Sequence, residues 1–179
     1  METIVRELLK AIGEDVHRPG LEKTPERVAE MWRELTSGSA CDPYPLLADA
    51  TFPADTKGMV VCRDIDFVST CEHHLLPFLG KATVAYLPGD KLVGISKLAR
   101  VTECFARRLQ VQERMGQEIL DAMEGALAPR GALVHIEAIH LCMVARGVRL
   151  PNARMVTSHM SGLFESEPKW VDLALRGAV

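Results

Sequence analysis

Two amphipathic helical patterns follow one another in the middle of the chain, between segments with strand-like patterns. The first apolar stripe consists of Leu98, Val101, Phe105 and Leu109, and the second of Met115, Ile119, Met123 and Leu127. The extended segments are Met59–Val68, Lys81–Leu87 and Leu92–Ile95 before the helices, and Ala132–Val144 and Arg154–His159 after them. This order of strands, helices and strands predicts an α+β fold with an antiparallel sheet.

The predicted sheet region is preceded by helices and a connecting arm. Residues 1–38 are predicted to be helical, with Val5, Leu8, Leu9 and Ile12 on one face of the first helix. A second helix is predicted to start at Thr24-Pro25, with Thr24 as the cap, and its apolar face consists of Val28, Met31, Trp32 and Leu35. Residues 39–58 contain three prolines and are predicted to be a loop or extended arm. We expect 1–179 to form a single domain, with 59–179 as its catalytic part and a helix in the last ten residues.

Composition restricts the class of protein. A net charge of -3 argues against broad nucleic-acid binding. No stretch of about eighteen apolar residues and no signal-peptide pattern is present, so a cytoplasmic protein that neither spans nor binds a membrane is expected. The five cysteines are irregularly spaced, and a disulfide framework is not expected. Cys62 and Cys104 are interpreted as core residues and Cys41 as an incidental residue of the arm.

The segment Cys71-Glu72-His73-His74 is the strongest chemical signal in the chain. Cys71 and His74 are three residues apart, so one turn could offer both side chains to one metal ion. On the predicted strand, His140 and Cys142 are two residues apart and share a face. A Cys71–His74–Cys142 set would leave a fourth position for water, as in catalytic zinc sites, and thiolates favour Zn²⁺ over Mg²⁺ or Ca²⁺. The alternative is that the Cys-x-x-His pair is accidental.

His73 and His140 would flank such a metal without binding it. Imidazoles titrate near neutral pH and can donate or accept protons, so both are candidate catalytic residues. Either could instead support the metal ligands through hydrogen bonds.

Two further groups are candidates for binding a substrate. Ser96, Lys97 and Arg100 open a predicted helix and, with Arg146, would suit an anionic group, although a solvated helix face gives the same pattern. Gln112-Glu113 opens the next helix. The Glu113 carboxylate could interact favourably with the helix dipole, or it could accept hydrogen bonds from two adjacent N–H groups, as on a guanine edge. Both interpretations stay open.

Several long motifs, in this order, resemble those of GTP cyclohydrolase I. They are Ser69-Thr70-Cys71-Glu72-His73-His74-Leu75-Leu76-Pro77, Gly94-Ile95-Ser96-Lys97-Leu98-Ala99-Arg100, Gln110-Val111-Gln112-Glu113-Arg114, and His140-Leu141-Cys142-Met143 through Arg146-Gly147-Val148. The helix start at Thr24–Arg27 and the segment from Thr157 to Phe164 are similar too. The resemblance extends from about residue 5 to about residue 165.

The resemblance implies a tunnelling fold, in which N-terminal helices precede a four-stranded antiparallel sheet with two helices. Sheets of several subunits would join into a barrel, and two pentameric rings would form a decamer with active sites between subunits. Zn²⁺ would be held by Cys71, His74 and Cys142, in agreement with the set chosen from spacing.

The resemblance also implies the reaction and the residue roles. GTP and water would give 7,8-dihydroneopterin triphosphate and formate, the first step of pterin and tetrahydrofolate biosynthesis. Glu113 would bind the guanine edge with Gln112 beside it, His140 would protonate N7, and His73 would serve later proton transfers. The residues implied to face the triphosphate are Ser96, Lys97, Arg100, Arg146 and, from another subunit, Arg27.

Three residues depart from the family pattern. Glu30 stands where many members carry a phosphate-binding lysine, Val144 lies where some members have a basic or acidic residue, and His159 replaces a small residue. Three alternative functions remain. A paralogue serving a deazapurine or another modified-nucleoside pathway would share these motifs. A nitrile reductase of the related fold is disfavoured by the Cys₂His set, and a scaffold protein with structural zinc would need four protein ligands.

Overall fold

The computed structural model describes residues 1–176, in which three α-helices precede four consecutive strands, and helices and strands then alternate up to the last two helices. The helices are α1 (Glu2–Ala11), α2 (Thr24–Leu35), α3 (Pro43–Ala48), α4 (Ser96–Ala106), α5 (Gln112–Leu127), α6 (Leu141–Val144), α7 (Leu163–Ser166) and α8 (Pro168–Leu175), with a 3₁₀ turn at Ser37–Ala40. The strands are β1 (Thr51–Pro53), β2 (Val60–Cys71), β3 (Pro77–Leu87), β4 (Lys91–Val93), β5 (Leu109–Gln110), β6 (Gly131–His140) and β7 (Met155–Met160). Within these residues, no helix has the length and apolar character needed to cross a membrane.

The main sheet has the strand order β5-β2-β3-β6-β7. The four long strands β2, β3, β6 and β7 pair antiparallel, which confirms the predicted α+β fold. The two-residue strand β5 was not predicted. It pairs parallel to the end of β2, with Thr70 opposite Leu109 and Cys71 opposite Gln110.

One face of the sheet is covered by α4 and α5. The predicted stripe of α5 is confirmed, because Met115, Ile119, Met123 and Leu127 are all buried in the main core. In α4 the stripe is buried as far as Phe105. Leu109 was wrongly placed in that stripe, since α4 ends at Ala106 and Leu109 belongs to β5 with 43% of its surface exposed.

The opposite face is partly covered by the C-terminal helices. Ala85, Leu87 and Leu133 of the sheet pack with Phe164 of α7 and Ala174 of α8. The helix expected in the last ten residues is observed as α8, and 177–179 lie outside the described residues.

The N-terminal helices form a small separate cluster of buried residues. Val5 and Leu9 of α1 pack with Val16, Leu21 and Val28. Leu8 and Ile12, predicted to lie on the same buried face, are exposed instead. Pro25 occupies the first turn of α2 as expected. The predicted Thr24 cap is wrong, since Thr24 is already helical and its hydroxyl donates to the Gly20 carbonyl.

The arm over residues 39–58, predicted to be a loop or extended, contains the helix α3 and the strand β1. Pro43 begins α3, where proline is well tolerated, and Asp42 accepts a hydrogen bond from the Tyr44 backbone N–H as its cap. Leu47 of α3 is fully buried. The following strand β1 pairs with β4.

Cys41 and Cys104 form a disulfide, with their Cα atoms 5.8 Å apart. This pairing corrects two expectations, that Cys41 is incidental and that no disulfide forms. The two residues are 63 positions apart, and only the packing of the arm against α4 brings them together. Arg108 supports the contact by donating to the carbonyl oxygens of Cys41 and Cys104.

The buried stripe of α5 gives a direct stability prediction. Leu127→Ala should lower the free energy of unfolding by about 2–5 kcal/mol, because it leaves a cavity in the packed core. Leu173→Ala makes the same change at a half-exposed site on α8, and its effect should be within about 0.5 kcal/mol. Urea denaturation followed by circular dichroism measures both, and equal losses for the two variants would contradict the assigned core.

Candidate metal centre and active site

A tight turn between β2 and β3 brings two candidate metal ligands together. The Cys71 carbonyl accepts from the Leu75 N–H at 2.9 Å, and the Cys71 N–H donates to the Leu76 carbonyl at 2.9 Å. Leu75 takes the left-handed conformation, with φ of 55°, which reverses the chain. The turn places the His74 Nδ1 atom 4.0 Å from the Cys71 sulfur.

The third candidate ligand arrives from the end of β6. The ligand atoms of Cys71, His74 and Cys142 all lie within 4.8 Å of one another. Cys71 is buried, Cys142 is half-buried and His74 is exposed. The predicted strand to Val144 was too long, because β6 ends at His140 and Cys142 lies in the short helix α6. The spacing argument from a shared strand face was therefore wrong, although the three residues it selected do come together.

The chemistry of this group fits a soft divalent metal ion. Burial and the adjacent Cys71 raise the pKa of the Cys142 thiol, and Arg146 counteracts this only in part. A bound cation would stabilise both thiolates, and two sulfurs with one imidazole nitrogen are donors that Zn²⁺ prefers. Three protein ligands leave a coordination position for water or substrate.

His140 is held in a defined orientation beside this group. Its Nε2 atom lies 2.8 Å from Gln112 Oε1, and its ring stacks on Phe78 with centroids 4.5 Å apart. Burial lowers the pKa of His140, and the negative charge of Glu113 partly opposes this. His140 is therefore predominantly neutral at neutral pH and lies within the electrostatic range of Glu113.

Gln112 has its whole side chain engaged within the protein. The side chain is buried, and its amide nitrogen donates to the Ile136 carbonyl, the Met155 carbonyl and the Thr157 hydroxyl. The amide oxygen must then accept, so His140 carries its proton on Nε2 and leaves Nδ1 available. These contacts orient His140, and the expected place of Gln112 beside a guanine stays a prediction.

The remaining predicted residues of this group lie on the same elements. His73 is exposed on the candidate metal-binding turn, residues 71–76, and its ring lies 6.3 Å from that of His74 at an interplanar angle of 85°. Glu113 is exposed in the first turn of α5. Arg146 Nη1 lies 3.2 Å from His74 Nε2, so this arginine also contacts the metal-binding turn.

The other predicted phosphate-binding residues lie on different elements. Ser96, Lys97 and Arg100 form the start of α4, with Ser96 and Arg100 exposed. In the part of the chain that the structure describes, no hydrogen bond or ion pair joins them to the Cys71–His74–Cys142 group. Arg27 and Glu30 are both exposed on α2, and the ion pairs of residues 1–176 include none between them.

Sequence reasoning missed one contact at this site. Glu72, between Cys71 and His73, accepts a hydrogen bond from Arg114 at 2.5 Å. Gln110, Arg114 and Glu118 follow at intervals of four, a spacing that favours side-chain contacts on a helix and could have drawn attention to Arg114. Glu72 and Arg114 are 42 positions apart in the chain, so only the structure reveals their contact.

The fold and the donor set together define an α+β protein with a candidate catalytic metal centre. The fold is similar to that of the solved apo archaeosine synthase QueF-Like, with a TM-score of 0.50 and 14% sequence identity. The match covers 60% of this chain and 97% of that one. At this identity the likeness shows the tunnelling fold alone.

The family itself is shown by sequence. A family model of GTP cyclohydrolase I matches residues 1–178. Proteins called GTP cyclohydrolase 1 are 56% identical over 164 residues in Chlorobaculum tepidum (92% of this chain, 73% of that protein) and 48% identical over 169 residues in Deinococcus radiodurans (94% and 78%). The one from Leptospira biflexa is 48% identical over 182 residues, covering 99% of this chain and all of its own length. The chain belongs to the GTP cyclohydrolase I family, a family of hydrolases, as its motifs predicted.

The ligand assignment predicts the metal content of single variants. We expect about one zinc ion per subunit in the purified protein, and Cys71→Ser and Cys142→Ser should lose most of it because each removes one of three ligands. Cys62→Ser is the matched control, since Cys62 lies outside the group and should leave the zinc content unchanged. Elemental analysis that finds full zinc in both ligand variants would exclude this coordination set.

Proposed function

We propose that this chain is a zinc-dependent GTP cyclohydrolase I that converts GTP and water into 7,8-dihydroneopterin triphosphate and formate. The observation that carries the proposal is the convergence of Cys71, His74 and Cys142, with His140 at the end of the strand that leads to Cys142. These three residues would hold Zn²⁺, which supplies hydroxide near neutral pH when bound. The reaction needs no redox cofactor.

Glu113 would select the base. A carboxylate can accept hydrogen bonds from guanine N1–H and from the 2-amino group at the same time, whereas adenine offers neither donor in that position. Glu113 stands at the start of α5 and influences the charge of His140, so a base bound by it would lie beside that imidazole. The carboxylate thus fixes both the identity and the position of the ring.

His140 would serve as the proton donor to guanine N7. Protonation of N7 makes C8 electrophilic, so that addition of water at C8 opens the imidazole ring and a second hydration releases formate. Gln112 holds the Nε2 proton of His140, so the neutral ring would first take up a proton from solvent at Nδ1. The resulting imidazolium would then donate this Nδ1 proton to N7 and return to the neutral form. His73, on the adjacent turn, would serve the proton transfers of ribose opening, rearrangement and closure onto the freed amine.

Cations from three elements would bind the triphosphate. The start of α4 would supply the hydroxyl of Ser96 and the positive charges of Lys97 and Arg100. Further positive charges would come from Arg146 after α6 and from Arg27 of another subunit. Arg146 now donates to His74 Nε2. If His74 held the metal through Nδ1, its proton would be on Nε2, which could then no longer accept from Arg146, and the guanidinium would be available for phosphate.

A site completed between subunits would account for the separation of the α2 and α4 cations from the Cys71–His74–Cys142 group. We propose a decamer of two pentameric rings, in which the sheets join edge to edge. The outer edge of β7 and residues 60–69 at the outer edge of β2 have no strand neighbour within residues 1–176, so both could pair with another copy. In this proposal, residues 1–179 act as one unit in the cytoplasm, where GTP is available.

Substrate choice tests the proposal. The wild-type protein should release formate from GTP and give a pterin that fluoresces after oxidation. ATP should react with a kcat/KM at least about a thousandfold lower, because adenine leaves the Glu113 carboxylate without its hydrogen-bond donors. Formate assay and fluorescence on the same samples measure this. Comparable kcat/KM values for ATP and GTP would contradict the role of Glu113, and formate without a pterin would indicate a different product.

The role of His140 can be separated from metal binding. His140→Ala should keep the zinc content while kcat falls by about 10²–10⁴-fold, because a proton donor rather than a ligand is lost. Elemental analysis and single-turnover kinetics on the same preparation test this. A loss of zinc as large as that of Cys142→Ser would show that His140 belongs to the coordination sphere.

A further inference from the structure

We propose that Arg114 is a positioning residue that fixes the metal-binding turn against the first turn of α5 through a side-chain link to Glu72. The inference deepens the proposed function and rests on it. Glu72 stands between Cys71 and His73 on the turn, and Arg114 directly follows Glu113 on the helix. The link therefore joins the element that holds the metal to the element that holds the base.

The guanidinium of Arg114 is held by several acceptors at once. Its Nη2 atom donates to Glu72 Oε2 at 2.5 Å and to the Leu109 carbonyl at 3.1 Å, and its Nε atom donates to Gln110 Oε1 at 3.1 Å. The five N–H donors of arginine form a rigid planar fork, so these acceptors determine both its position and its plane.

Gln110 is itself held in place and so serves as a fixed support. Its side chain is buried, and its amide nitrogen donates to Glu118 Oε2 at 2.7 Å and to the Phe105 carbonyl at 3.2 Å. Its amide oxygen therefore faces Arg114. The Glu72 N–H also donates to the Gln110 carbonyl at 3.0 Å, so backbone and side chains connect the same two segments.

The distance between these segments matters for the reaction. A guanine held by Glu113 must bring C8 to the water at the metal, and misplacement of reacting groups by about 1 Å can cost about a hundredfold in rate. Gln112 orients His140 at the same helix start, while Arg114 ties that helix start to the turn. Together the two contacts set the base, the proton donor and the metal ligands relative to one another.

Because the Glu72–Arg114 pair is partly exposed, its role in positioning can be distinguished from a role in stability. The side chains of Glu72 and Arg114 are 34% and 42% exposed, and ion pairs at such sites contribute little to folding. Loss of the link should therefore affect turnover far more than thermal stability or metal content.

The test compares four variants with a control in the purified oligomer. Arg114→Gln should lower kcat for GTP at least about tenfold, with KM within about threefold of wild type and with unchanged zinc content and melting temperature. Arg114→Lys should be similarly impaired, because one ammonium group keeps the charge but cannot reproduce the fork. Glu72→Gln should also lower kcat, and the double variant Glu72→Gln/Arg114→Gln should lose no more than Arg114→Gln alone. Arg18→Gln breaks a comparable exposed pair with Glu14 and should match wild type.

Three results would overturn the inference. Wild-type kcat in Arg114→Gln would exclude any role, wild-type kcat in Arg114→Lys would show that only the charge matters, and a kcat loss that follows zinc loss would indicate a role in metal binding. If Arg114→Gln fails to fold, a wild-type kcat in Glu72→Gln overturns the inference equally. Failure of the wild-type protein to turn over GTP would refute the proposed function itself, whereas an active wild type with unaffected variants refutes only the positioning role.

Discussion

The packing of α5 against the sheet determines the geometry of the candidate site. Met115, Ile119 and Met123 are buried against the sheet core, and this fixes where the helix starts. At that start, Gln112 reaches His140 at the end of β6 and Arg114 reaches Glu72 at the end of β2. Apolar burial thus supplies the rigidity, and a few polar side chains at the end of the helix convert it into a defined arrangement of chemical groups.

The candidate metal-binding group, Cys71, His74 and Cys142, depends on the ends of two strands that are not adjacent. β3 lies between β2 and β6 in the sheet, and it begins directly after the turn that carries His74. Phe78 near its start is opposite His140 and stacks on it. The hairpin therefore brings the Cys71–His74 pair to the same end of the sheet as Cys142. The antiparallel pairing fixes this arrangement, with Thr70 opposite Pro77 and Phe78 opposite His140.

The sequence predicted the features that depend on residues close to one another in the chain. The α5 stripe and the Cys-x-x-His turn depend on residues within a few positions of one another, so spacing alone identified them. The pairing of Cys41 with Cys104 and the link from Glu72 to Arg114 depend on packing between distant segments, and no periodicity encodes them. The Ala132–Val144 strand shows an intermediate case. Its apolar pattern continues past His140, but the chain leaves the sheet there and Cys142 reaches Cys71 and His74 from a helical turn.

A neutral amide at position 112 suits the role of proton donor that we propose for His140. Burial lowers the pKa of His140, while the carboxylate of Glu113 partly opposes that effect. A second carboxylate in place of Gln112 would stabilise the imidazolium further and make it a weaker acid. The amide oxygen instead accepts the Nε2 proton without adding charge, and its nitrogen is occupied by three protein oxygens, so the side chain cannot turn over and present a donor to His140. The orientation of His140 and its acidity are therefore set by different residues, the first by Gln112 and the second by the balance between burial and Glu113.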